Sequence, residues 1–169
     1  MKKKYFAYGL ILIELIIQIM GMVNYDACPA FLWTLADALI FLVPLMFGIR
    51  LGLVCLLPVA VSELIWFFSF HSWGALFHLM SFAIAVIILG AASKKLCQVA
   101  ESRRILYSVI LFIAAWIGEE VLYRVLVALF LPHPFAWEDV FKSMLSPVTI
   151  LPIMVLAGFI RMDKRETSL

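Results

Sequence analysis

The stretch 30–70 reads AFLWTLADALIFLVPLMFGIRLGLVCLLPVAVSELIWFFSF. Asp37, Arg50 and Glu63 are its only charged residues. One crossing of a bilayer takes roughly 20 apolar residues, so this run is long enough for two. Only Ile49 and Arg50 separate its two spans, about 30–48 and 51–70. With so few residues between them, the two spans form a tight helical hairpin near Gly48 and Gly52. The expected fold class is therefore all-α, a polytopic membrane protein.

The rest of the chain extends that reading. Further apolar segments lie at about 5–23, 74–92, 105–131 and 144–160. Together they make a bundle of about six transmembrane helices in a single domain, 1–169. The breaks carry turn chemistry: Asn24 to Pro29, then His71-Ser72-Trp73-Gly74, then Pro132-His133-Pro134. Composition agrees. Hydrophobic residues make up 66% and charged residues 14% of the chain, with a mean hydropathy of +1.10. A soluble domain carries about 25% charged residues, and this chain could not cover itself in water with so few. The opening Met-Lys-Lys-Lys and apolar run resemble a signal peptide, but the run is too long for one, so a retained first helix is expected.

Orientation follows from where the cations sit. With six spans, eleven of the thirteen basic residues fall on one side: Lys2, Lys3, Lys4, Arg50, Lys94, Lys95, Arg103, Arg104, Arg161, Lys164 and Arg165. Only Lys142 falls on the other side, with the acids Asp26, Glu138 and Asp139. This predicts a cell-membrane protein with both termini in the cytoplasm. Cys28, Cys55 and Cys97 are far apart and form no C-x-x-C, so no disulfide is expected.

Charges within the spans are costly and point to function. Glu14, Asp37, Glu63, Glu119 and Glu120 face a single base, Arg124. Ion pairing cannot balance five acids against one base. Protonation, a water-filled cavity or a cationic ligand must account for the remainder. Helical spacing sets tryptophans beside these acids. Trp33 and Asp37 are four apart, and Glu63 and Trp66 are three apart. Trp116 precedes Glu119 by three residues and Glu120 by four. Such spacings share a helix face. If the three faces converge, they line an outward-facing pocket of aromatic rings and carboxylates. That pocket suits a flat, cationic, nitrogen-containing ring. His78 is a further candidate for its lining. Each pair also has a structural alternative: Trp33 as an interfacial residue, and Glu120–Arg124 as a plain i,i+4 ion pair. No metal motif is present, and neither a metal nor another cofactor is expected. Without a P-loop the chain does not hydrolyse ATP itself.

Three resemblances follow from these residues. Residues 39–64, LIFLVPLMFGIRLGLVCLLPVAVSEL, and 74–95, GALFHLMSFAIAVIILGAASKK, resemble helices two to four of the S-components of energy-coupling-factor vitamin transporters. That resemblance implies a substrate-binding subunit for a small vitamin or precursor. Its partners would be membrane lipid, a membrane coupling protein and ATPase subunits, with no nucleic acid. It also implies a tryptophan–glutamate pocket where the ligand is thiamine-like. LIELIIQIM near the start and FAWEDVFKSMLSPVTILPIMVLAGFIRMDKR near the end are similar to the rod-shape morphogenesis protein MreD, which implies a cell-wall scaffold. Finally, Glu119-Glu120-Val121-Leu122-Tyr123-Arg124 resembles the E-E-x-x-x-R motif of CAAX-type intramembrane proteases. That motif implies water activation by a glutamate, with Glu119, Glu120 and Arg124 catalytic.

Overall fold

A computed structural model describes residues 2–23 and 29–138. The expected sixth span, 144–160, and the cations and acids from Asp139 onward lie outside the described residues, as do Asp26 and Cys28.

The described chain is all-helical: α1 (Lys2–Val23), α2 (Ala30–Phe47), α3 (Ile49–Phe70), α4 (Trp73–Leu96) and α5 (Glu101–Phe130). Four of these, α1, α3, α4 and α5, are long and apolar enough to cross a membrane. Helix α2 contributes a shorter apolar helix, Phe31–Phe47. Short turns connect α2 through α5, so consecutive helices run in alternating directions.

Helix α2 is the axis of the bundle and packs on α1, α3, α4 and α5. Every residue from Ala38 to Val43 is buried, so its apolar character all round is used by neighbours on all sides. The other helices bury one stripe each. Leu12 and Ile16 of α1, Leu57 of α3 and Ile88 of α4 are exposed, which gives the bundle an apolar outer surface compatible with a lipid environment.

The hairpin between the second and third spans is tighter than expected. Ile49 and Arg50 are the first residues of α3, and Gly48 alone separates the two helices. Gly48 takes φ +88°, a conformation that a side chain resists. Its N–H donates to the Pro44 carbonyl at 2.8 Å, closing α2. A Cβ on Gly52 would lie 2.5 Å from the Pro44 Cβ, and one on Gly90 would lie 2.5 Å from the Ile49 Cα. Helix α4 therefore crosses this hairpin with its backbone nearly in contact.

The two ends of the bundle differ in chemistry. The α2–α3 turn brings Arg50 to one end, and the α4–α5 turn brings Lys94, Lys95, Arg103 and Arg104 to the same end. The other end carries the α3–α4 turn, where His71 stops α3 with φ 53°.

Candidate functional site

The site lies at the end of the bundle away from those cations. Residues from all five helices surround one open cavity of about 330 Å³. Helix α1 supplies Gln18, α2 supplies Trp33 and Asp37, α3 supplies Ser62, Glu63 and Trp66, α4 supplies His78, and α5 supplies Tyr123. The first tryptophan–carboxylate pair enters because α2 begins at this end of the bundle, the second because α3 ends there.

His78 organises the cavity. Its Nδ1 lies 2.7 Å from Glu63 Oε1, a hydrogen bond between α4 and α3. Its Nε2 lies 3.8 Å from Glu119 Oε1 on α5. Glu119 also accepts a hydrogen bond from the Ser81 hydroxyl at 2.5 Å. Two rings flank the imidazole, Phe82 at 4.4 Å and Tyr123 at 5.0 Å between centroids. The imidazole is thus held between two carboxylates and two aromatic rings. A group seated in the cavity meets Asp37 and Glu63 as acids and Trp33 and Trp66 as aromatic walls.

Packing holds both tryptophans. The Trp33 indole lies directly over Gly21 of α1, in space that any Cβ there would occupy. Trp66 stacks on Phe70 one turn on, 4.7 Å between centroids. Walls fixed in this way lose little freedom when a ring stacks on them.

The third expected pair divides. Trp116 does not line the cavity but is buried in the apolar core, 5.8 Å from Phe41 and 5.5 Å from Phe112. Core packing against α2 claims its face of α5. Glu119 reaches the cavity's edge only through His78, and the residue lies along a separate apolar groove between α4 and α5. Glu120 turns away from both and binds Arg124 Nε at 2.7 Å, the i,i+4 ion pair. Of the nine candidate residues, Trp33, Asp37, Glu63, Trp66 and His78 come together, Glu119 joins at second hand, and Trp116, Glu120 and Arg124 do not line the cavity.

Spacing could have revealed other members of the site. Tyr123 is four residues beyond Glu119, Ser81 three beyond His78, and Gln18 four beyond Glu14. Each shares a face with a residue already singled out. Among the described residues, no group of three His, Cys, Asp or Glu side chains is arranged to hold a metal ion.

Compared with known protein families, curated proteins and solved structures, the chain matches none.

Proposed function

We propose that the chain is the substrate-capturing membrane subunit of an uptake system, taking a small cationic or nitrogen-rich vitamin or precursor into the Trp33–Asp37–Glu63–Trp66 cavity. The observation that carries this reading is the meeting of two carboxylates and two tryptophans around one open cavity. Its volume of about 330 Å³ falls at the small end of the roughly 300–1,000 Å³ typical of ligand pockets. Carboxylates neutralise the charge of a bound cation, the indole faces stack on its ring, and His78 fixes the orientation of Glu63.

In this reading the chain has about six spans in the cell membrane, and the cationic end of the bundle and both termini are cytoplasmic. The cavity then opens outward. Energy comes from separate ATPase subunits, reached through a membrane coupling protein. A thermal-shift screen of the purified protein against thiamine and other cationic or nitrogen-rich vitamins tests it. Binding by one compound, abolished in Asp37→Asn and Trp66→Ala, is the expected result. A screen without any shift sinks the reading.

One observation favours a second reading, an intramembrane hydrolase. Glu119 of the E-E-x-x-x-R motif has an imidazole 3.8 Å away, His78 Nε2. A carboxylate–imidazole neighbourhood can activate water. Cleavage of a membrane peptide that is lost in Glu119→Gln and in His78→Ala would favour this reading over capture.

A further inference from the structure

One carboxylate within the spans has neither a place in the cavity nor a hydrogen-bond partner among the described residues. Glu14, midway along α1, is fully buried, and neither of its oxygens has a hydrogen-bond partner among the described residues. Gln18, one turn along the same face, comes close to it without a geometry that makes a hydrogen bond. From α2 the facing titratable group is Asp37, which carries the same sign of charge. From α3 it is Cys55, whose Sγ is turned toward the Leu39 carbonyl at 3.9 Å. Among the described residues, the groups facing Glu14 are thus an amide, an acid and a thiol, and none of them can balance its charge.

A carboxylate charge without a partner is not tolerated in an apolar interior. Something positive must accompany it. Gln18 and Asp37 both line the ligand cavity, so Glu14 lies one helical turn from its wall. We propose that Glu14 is a monovalent-cation site beneath the cavity, occupied by sodium or by a proton. The site adds a second ligand to the capture reading. Its existence does not depend on which vitamin, if any, fills the cavity above.

The experiment compares melting temperatures of the purified full-length protein in sodium chloride and in potassium chloride at equal ionic strength, each over a pH series. Wild type, Glu14→Gln and Glu138→Gln, a control outside the cavity, are measured side by side. If sodium is the occupant, wild type melts higher in sodium than in potassium. If it is a proton, wild type gains stability as pH falls, equally in both salts. In either case the response shrinks in Glu14→Gln and is unchanged in Glu138→Gln. A wild type indifferent to both variables, or a Glu14→Gln protein with an undiminished response, overturns the proposal. Should Glu14→Gln not fold, wild type is treated with dicyclohexylcarbodiimide and its adducts are mapped by mass. An adduct at Glu14 suppressed by sodium supports the sodium site. One insensitive to sodium but lost at high pH supports the proton. No adduct at Glu14 overturns both. A failed vitamin screen with the Glu14 response intact removes the capture reading alone.

Discussion

His78 Nδ1 lies 2.7 Å from Glu63 Oε1, tying α4 to α3 across a turn made only of His71 and Ser72. The pair has two jobs: it stabilises the hairpin and it fixes a carboxylate in the cavity wall. Glu63→Gln keeps a hydrogen-bonding group but removes the charge, whereas His78→Ala removes the partner. His78→Ala is expected to cost about 1–3 kcal/mol of stability, the usual penalty for orphaning a buried polar group. Glu63→Gln is expected to change stability less and to weaken binding of a cationic ligand more. Melting curves and ligand titration on both variants separate the two jobs, and equal effects on both readouts would contradict the assignment.

The tryptophans divide in the same way. Trp116 is a core residue against Phe41 and Phe112. Trp116→Ala should lower stability by about 3–5 kcal/mol, the range for large aromatic deletions. Trp33→Ala and Trp66→Ala should instead act mainly on ligand affinity. Chemical denaturation, with affinity measured on the folded fraction, checks this. Loss of affinity in folded Trp116→Ala as large as in Trp66→Ala would return Trp116 to the cavity wall.

Glycine positions give a test of the packing. Gly90→Ala places a Cβ 2.5 Å from the Ile49 backbone, so α4 must move. A loss of about 1–3 kcal/mol is expected for such overpacking. Gly118 has nothing within 4 Å of its missing Cβ. Gly118→Ala should be neutral or stabilising by about 0.5–1 kcal/mol, because alanine favours the helix. Thermal melts that rank the two variants in the opposite order would show that α4 does not cross the hairpin as described.

Glu120 and Arg124 form a local pair at 2.7 Å. Their coupling in a double-mutant cycle of Glu120→Gln and Arg124→Gln should be about 0.5–3 kcal/mol. Ligand binding should be nearly unchanged in both single variants. A large loss of binding in either one would mean that the pair serves the cavity after all.

Orientation can be read from two cysteines. Cys97 is exposed and follows α4 at the cationic end, while Cys55 is buried in α3. In a Cys28→Ser background, a membrane-impermeant maleimide should label Cys97 in inside-out vesicles and spare it in right-side-out ones. Cys55 should react only after denaturation. Labelling in right-side-out vesicles would place the cationic end outside and turn the cavity toward the cytoplasm.

Much of the architecture was legible beforehand, because lipid compatibility is a property of composition and run length. The five described helices follow the expected spans closely, and the hairpin turns near Gly48, though on that one residue and not on Ile49 and Arg50. The segregation of Arg50, Lys94, Lys95, Arg103 and Arg104 to one end was equally visible, since it depends only on the number of helices between them. The site was legible in part. Spacing of three or four residues pairs Trp33 with Asp37 and Trp66 with Glu63, and all four line one cavity. It could not say which way each face turns. Residues 116, 119 and 120 lie close together on α5, yet Trp116 enters the core, Glu119 meets His78 and Glu120 folds back on Arg124. Periodicity sets which side chains are neighbours on one helix. Only the packing of α5 against α2 and α4 decides which of them reaches a cavity, because that choice is made by the neighbouring helices and not by the helix itself.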